Sequence, residues 1–358
     1  MKNKNILLIS HFSNLSGAPI SLALLAKCLR NRGYNPVFSI PAKGQLEDLL
    51  KQLGIAYEIT GTIFSLYYLR KIIQKYNIQV VHANTIIAAP GAILAWVMNK
   101  KLVWHIREDI SQNKVMIKII ERISDRIIIL SQSMKVYFKE EIIADKLKII
   151  HNGVDFSLFK TLSEDDKSQL RQELSIGKDE KIVTVIGTVE KRKGQLYFIE
   201  AIKLLKEINN VTYLIVGNSL PGQARYKKRL EKECFINNLS NVRFLPARAD
   251  IPKLLQITDI VCVPSLAEPF GRVVVEGMAA GKPVIGSNVG GIPEIIDNQK
   301  TGILINPADG ISLAKAISYL LGNSDICDHM GKSGFTRAHE FFSIEAHAEK
   351  IAMIYEEL

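Results

Sequence analysis

Two glutamates eight positions apart, Glu268 and Glu276, bracket a glycine in the run Glu268-Pro269-Phe270-Gly271-Arg272-Val273-Val274-Val275-Glu276. The apolar residues 260–264 lead into it as a strand, and the run itself opens a helix. Gly271 lets a ligand approach the backbone closely. The first helical turn offers amides without helical partners and the positive end of a dipole, which suits a phosphate. Carboxylates at two depths of one pocket suit the two polyol ends of a sugar nucleotide.

A second loop carries the opposite charge. Gly187-Thr188-Val189-Glu190-Lys191-Arg192-Lys193-Gly194 follows a strand over 182–186 and precedes a helix. Three adjacent cations at a helix N-terminus oppose the dipole unless an anion sits there, and a pyrophosphate resolves the conflict. His105, followed by Arg107, Glu108 and Asp109, ends a strand over 102–106, and histidine can donate to a hydroxyl or phosphate near neutral pH. His82 ends another strand and is open between a core role and a site role. The loop His11-Phe12-Ser13-Asn14-Leu15-Ser16-Gly17-Ala18-Pro19 precedes a helix that aligns Leu22, Leu25, Ala26 and Leu29. It is either a plain strand–helix turn or, through Gly17, part of a ligand site, and it lacks the G-x-G-x-x-G of a dinucleotide loop. Asn152-Gly153 reads as a tight turn after a strand. Ser287, Gly290, Gly291, Pro293 and Glu294 form another glycine-rich turn, in which Glu294 also serves simply as a dipole partner.

Strands that are apolar on both faces alternate with helical segments, which predicts parallel sheets with helical crossovers. Twelve are expected, over 5–10, 37–40, 79–82, 102–106, 126–130, 148–151, 182–186, 212–216, 242–245, 260–264, 283–286 and 302–305. Twelve exceed one comfortable sheet, so 358 residues imply two domains. The expected fold is α/β, two doubly wound Rossmann-like domains facing across a cleft. The expected division is 1–160, 161–340 and a C-terminal helix over 341–358, in which Ile344, Ala348, Ile351 and Ile354 share a face. Ligands in such sheets bind beyond the carboxyl ends of the strands.

Residues 1–160 carry 22 Lys and Arg against 11 Asp and Glu, a net of +11; the remainder carries 24 against 25, a net of −1. A basic N-terminal half attracts polyanions such as lipid headgroups or phosphorylated acceptors, or else its lysines only solvate helix faces. Residues 114–126 interleave cations and apolar side chains in a way that suits anionic lipid. Nucleic acid is not expected, because no zinc-finger, RNA-binding or DNA-reading motif is present. Four scattered cysteines without C-x-x-C spacing read as buried thiols in a reducing compartment. The longest apolar stretch, 86–98, is broken by Pro90 and Gly91, and the N-terminal Met1-Lys2-Asn3-Lys4-Asn5 leads into a strand rather than an apolar leader. The expected location is cytoplasmic, or peripheral at the inner membrane face.

Taken in order along the chain, these motifs resemble those of the retaining group 1 (family 4) glycosyltransferases of GT-B fold. The resemblance rests on Glu268-Pro269-Phe270-Gly271 with Glu276, Ala279-x-Gly281-x-Pro283-Val284 and Gly290-Gly291-Ile292-Pro293-Glu294. It adds Lys193-Gly194, Asn152-Gly153-Val154-Asp155, Thr301-Gly302 and Asp309. It implies that the donor, a nucleotide-diphosphate sugar, binds mainly the C-terminal domain. Glu268, with the amides of Phe270 and Gly271, would hold the sugar; the amides of Val273 and Val274 would meet the pyrophosphate; Glu276 would bind the ribose. Lys193 would neutralise the leaving diphosphate, and His105, with Arg107, would lie at the acceptor. His105, Glu268 and Lys193 are thus the expected catalytic residues, and Gly17 and Arg192 join the expected donor contacts. Two positions depart from the family pattern. Thr188 stands where an arginine follows the loop glycine, leaving Arg192 to supply that charge, and Pro246 replaces a common glycine.

The resemblance further implies a hexose-type transfer to a hydroxyl of a glycan or lipid-linked acceptor, of the kind that builds bacterial-type surface polysaccharide or glycolipid. Attack from the leaving-group face, with the donor phosphate taking the acceptor proton, would retain anomeric configuration. No metal or other cofactor is expected, since cations and amides meet the charge and neither H-E-x-x-H nor Asp-x-Asp spacing occurs. The rival readings are a GT-B sugar-nucleotide epimerase, a phosphorylase, and a non-catalytic sugar-nucleotide-binding protein at a membrane surface.

Overall fold

The computed structural model of the chain describes residues 4–14, 17–61, 65–220 and 222–358. Leu15 and Ser16 of the loop after the first strand lie outside them, as do Met1, Lys2 and Asn3. The chain divides into two compact units, Met1–Gly153 with Ser343–Leu358, and Val154–Phe342.

The first unit runs β1 (Asn5–Ile9), α1 (Gly17–Asn31), β2 (Asn35–Ile40), α2 (Gln45–Gln52), β3 (Ala56–Ile59), α3 (Leu66–Lys75), β4 (Val80–Asn84), α4 (Ala89–Val97), β5 (Lys101–Ile106), α5 (Lys114–Ile123), β6 (Arg126–Ile129), α6 (Glu140–Asp145) and β7 (Leu147–Ile149). Its strands form one parallel sheet in the order β3-β2-β1-β4-β5-β6-β7. The second unit runs α7 (Glu164–Glu173), β8 (Lys181–Ile186), α8 (Gln195–Leu204), β9 (Val211–Val216), α9 (Ala224–Ile236), β10 (Val242–Leu245), α10 (Ile251–Ile257), β11 (Ile260–Val263), α11 (Arg272–Ala279), β12 (Val284–Ser287), α12 (Ile292–Ile295), β13 (Gly302–Ile305), α13 (Gly310–Leu321) and α14 (Ser324–Phe342). Its sheet is parallel too, ordered β10-β9-β8-β11-β12-β13. The last helix, α15 (Ile344–Glu356), belongs to the first unit.

Each unit is a doubly wound Rossmann-like domain. Its strands are Val- and Ile-rich because both faces are covered by helices. On one face of the first sheet, Leu22, Leu25, Ala26 and Leu29 of α1 pack with Ile351, Ile354 and Tyr355 of α15 over Ile6, Leu8, Val80 and Val103. Short polar caps set the helix starts: Ser163 accepts from the Asp166 amide at 3.1 Å to open α7, and Ser343 from Ala346 at 3.3 Å to open α15.

Two sequence expectations need correction. A thirteenth strand, β3, pairs with β2 at the sheet edge. Ala56-Tyr57-Glu58-Ile59 offers no apolar run because none of its residues is fully buried. His82 does not end its strand: β4 continues through Ala83 to Asn84, every residue buried.

Candidate functional site

In both sheets the strand order reverses beside the first strand of the unit. In the second unit that point lies between β8 and β11, which are hydrogen-bonded neighbours. The loops leaving the carboxyl ends of these two strands therefore diverge and leave a crevice. They are 187–194 and 264–271, the two loops singled out by their charges.

Backbone sterics hold them together. Gly194 has φ 69°, and a Cβ there would stand 1.8 Å from the Pro264 carbonyl oxygen. The Leu266 amide donates to the Arg192 carbonyl at 2.8 Å, and Arg192 Nη1 donates to the Ala267 carbonyl at 3.2 Å. The same guanidinium meets Glu190 at 2.8 Å. Arg192 thus ties the loops to each other. Across the crevice Lys193 Nζ meets Glu268 Oε2 at 2.5 Å, both side chains mostly buried, with Ser265 Oγ 3.4 Å from the same oxygen. Thr188, in place of the family's arginine, contributes its carbonyl, which accepts from the buried Gln195 at 2.8 Å.

Gly271 caps α11 in the left-handed region, φ 107°. Phe270 is buried, its ring edge-on to Phe342. The turn 287–291 braces this segment from below. The Gly291 amide donates to the Glu268 carbonyl at 3.0 Å, and a Cβ on Gly290, φ 56°, would stand 1.8 Å from that oxygen. One expected phosphate donor is already engaged: the Val274 amide donates to the Gly271 carbonyl at 2.9 Å. One turn into the helix, Arg272 Nε meets Glu276 Oε1 at 2.8 Å. Arg272 was not singled out from sequence, although its i,i+4 spacing to Glu276 is the signal for the pair.

The cavity lined by Lys193, Ser265, Glu268, Gly271, Arg272 and Val273 measures about 70 Å³. That is room for water rather than for a nucleotide, so these loops present a wall and not an enclosing pocket. A concavity of about 1080 Å³ lies at the opposite ends of the strands, beside Thr258 and Lys282, away from these groups.

Gly17, His105 and Arg107 belong to the first unit. Gly17 is the first residue of α1. His105 has no exposed surface. It does not face solvent from a strand end; α15 covers its side of the sheet, and its ring stacks 5.8 Å from that of His347. Arg107 Nη2 lies 3.3 Å from His105 Nδ1. A guanidinium only donates, so Nδ1 accepts and the proton sits on Nε2. His82 Nε2, 3.3 Å from the same Nδ1, must then donate, and His82 Nδ1 accepts from Tyr355 Oη at 2.7 Å. Arg107 also donates to Asn84 Oδ1 and Asn152 Oδ1. Burial, and then the Arg107 charge, hold His82 and His105 well below the usual histidine range and lower His347 to about 3. His11, beside Thr85 at 3.4 Å, is lowered to about 4 by the same two causes. The cluster is therefore a neutral ring stack behind one cation. Among the described residues no group of His, Cys, Asp and Glu is arranged to hold a metal ion.

Two parallel Rossmann-like sheets, the second with an acid and a lysine at its switch point, define the GT-B class of architecture. The family model for glycosyl transferases group 1 matches residues 166–337, and that for glycosyltransferase family 4 matches residues 15–158. The chain belongs to the group 1 glycosyltransferase family. It is 32% identical over 215 residues to an uncharacterized glycosyltransferase of Methanocaldococcus jannaschii, covering 59% of this chain and 54% of that protein. It is 29% identical over 218 residues to D-inositol 3-phosphate glycosyltransferase of Corynebacterium jeikeium, covering 59% and 52%. The matched stretch is about half the length of these relatives. Among solved structures, Anabaena HepE in complex with UDP and glucose superposes with a TM-score of 0.88 at 28% identity, over 99% of this chain and 100% of that one.

Proposed function

We propose that the protein transfers a hexose-type sugar from a nucleotide-diphosphate sugar to a hydroxyl of a glycan or lipid-linked acceptor, with retention of configuration, in surface polysaccharide or glycolipid synthesis. The observation that carries this reading is the Lys193–Glu268 pair at the switch point, set on loops held by Gly194, Gly271 and Gly290. A nucleotide-sugar donor is further supported by the likeness to HepE, whose solved forms include a complex with UDP-glucose.

In this reading Glu268 accepts hydrogen bonds from the sugar hydroxyls and releases Lys193 to the diphosphate. The Val273 amide and the α11 dipole meet the same charge, while Val274 keeps its bond to Gly271. Glu276 turns from Arg272 to the ribose hydroxyls. The acceptor oxygen bonds to the anomeric carbon as the bond from that carbon to phosphate oxygen breaks, and the departing phosphate takes the acceptor proton. Arg107 faces the acceptor, and His105, sealed from solvent, acts by orienting it. The chemistry draws on side chains and amides alone, without a metal, on the cytoplasmic side of the membrane.

The test is a thermal-shift screen of UDP-, GDP- and ADP-sugars, followed by acceptor-dependent release of the nucleoside diphosphate and NMR of the product anomer. Stabilisation by one donor, with release only when an acceptor is present, supports the reading. Interconversion of donor alone would replace it with an epimerase, and an inverted anomer would remove retention.

A further inference from the structure

On the first sheet, α3 and α4 are adjacent and touch; Gly91 of α4 sits so close to Ile9 of β1 and Leu69 of α3 that a Cβ there would clash with the former. Their inner sides are accounted for by Leu69, Ile72, Ile73, Ala92 and Ala95, all buried. Their outer sides leave Leu66, Tyr67, Tyr68, Ile93, Trp96 and Val97 exposed. Six large apolar side chains on two adjacent helices make a patch that a soluble surface does not need. By contrast α5, the amphipathic helix that the sequence offers for lipid, leaves one such residue exposed, Val115.

The charges carried by this stretch of the chain are of one sign. Residues 59–107 contain no Asp or Glu and six Lys or Arg. Arg70, Lys71 and Lys75 lie on α3, and Lys100 and Lys101 follow α4. Lys71 Nζ sits 4.4 Å from the centre of the Tyr67 ring. Lys75 is paired with Glu58 at 2.7 Å, the acid that ends the acid-free run on its N-terminal side. Tyrosine and tryptophan favour the boundary between headgroups and acyl chains, and lysine and arginine favour anionic headgroups.

We infer that the outer face of α3 and α4 is a docking surface for an anionic lipid bilayer, with Trp96, Val97, Tyr67 and Tyr68 entering the headgroup boundary. The docking is peripheral: among the described residues no helix is long and apolar enough to cross a membrane. The inference names the surface by which a lipid-presented acceptor would be approached. It rests on that part of the proposed function, but on none of the donor-site residues.

The chain carries its own probe. It has two tryptophans, and Trp104 is fully buried whereas Trp96 is 49% exposed. Vesicles of phosphatidylglycerol at low salt are expected to blue-shift the emission of the whole chain, and lipids brominated on the acyl chain to quench it. Vesicles of phosphatidylcholine should do neither. Trp96→Phe should remove both signals while sedimentation with the vesicles persists. Arg70→Gln with Lys71→Gln should lower vesicle partitioning by about 25-fold, from ~1 kcal/mol for each cation near the surface. Val115→Ser should leave it unchanged. The inference is overturned if the anionic vesicles leave emission and sedimentation unaltered. It is equally overturned if the face proves to join two copies, seen as concentration-dependent dimerisation that Trp96→Ser with Val97→Ser abolishes. Donor-dependent thermal shift in the same variants separates the two readings: it survives failure of the docking surface, and its absence would sink the transferase reading alone.

Discussion

The switch point of the second sheet and the histidine cluster of the first sheet hold opposite chemistry. In the second unit, between β8 and β11, the groups are charged, paired and still within reach of a ligand: Lys193 with Glu268, Arg272 with Glu276. In the first unit, His82 and His105 on the neighbouring strands β4 and β5 are neutral and sealed, and Arg107 in front of them is partly exposed. An ion pair at a crevice can exchange partners when an anion and a polyol arrive. A buried neutral stack cannot, and what it does is fix the direction of the one cation in front of it. In the proposed reading this difference assigns charge neutralisation to the second unit and orientation to the first.

The strongest way to break this contrast is at Glu268. Glu268→Gln keeps the shape and removes the charge, and is expected to lower transfer by about 10²- to 10³-fold with little change in the unfolding temperature. Wild-type release of nucleoside diphosphate by that variant would refute its role. Gly290→Ala comes next. Its Cβ would press on the Glu268 carbonyl in a left-handed backbone, a strain on the order of 1–3 kcal/mol, so donor affinity and stability should fall together. Gly281→Ala, also left-handed but open to space, is the comparison and should spare donor affinity in a calorimetric titration.

Glu276→Gln should raise the donor KM by about tenfold with kcat nearly unchanged, the mark of ground-state binding to a remote part of the donor. An equal loss in kcat would move Glu276 into the reacting centre. A separate readout is the acid sensitivity of the first unit. His11 and His347 titrate at about 4 and about 3 when folded and near 6.5 when unfolded, because burial and Arg107 disfavour their charged forms. The unfolded chain therefore binds their protons first. Their contribution is whole above about pH 6.5 and is lost progressively as pH falls toward 3 to 4. Glu108, whose carboxyl burial raises, offsets part of this at the acid end. Both tryptophans lie in the first unit, so their emission reads it directly; denaturant midpoints that stay flat from pH 7 to pH 4.5 would contradict the neutral stack.

Much of the second unit was legible because its signals are local. A glycine that must sit at positive φ, an acid three residues before it and a lysine–glycine pair at the next loop are each written in a few consecutive residues. The first unit depends on what packs over it. Nothing in Val80-Val81-His82-Ala83-Asn84 reveals that Tyr355 and His347, more than 240 positions away, will cover His82 and His105. Sequence accordingly placed both histidines at open strand ends. β3 escaped for the complementary reason: an edge strand needs no apolar run. The patch on α3 and α4 was hidden because periodicity shows which residues are apolar and not which remain uncovered.

The central claim is that donor charge is met at the β8–β11 switch point. Hydrogen exchange of the whole chain, with and without the nucleotide sugar that raises its unfolding temperature, tests it most directly. The account predicts new protection over 187–195 and 264–276, lost in Glu268→Gln at the same donor concentration. Saturating donor that protects other segments and leaves these two loops unchanged would contradict it.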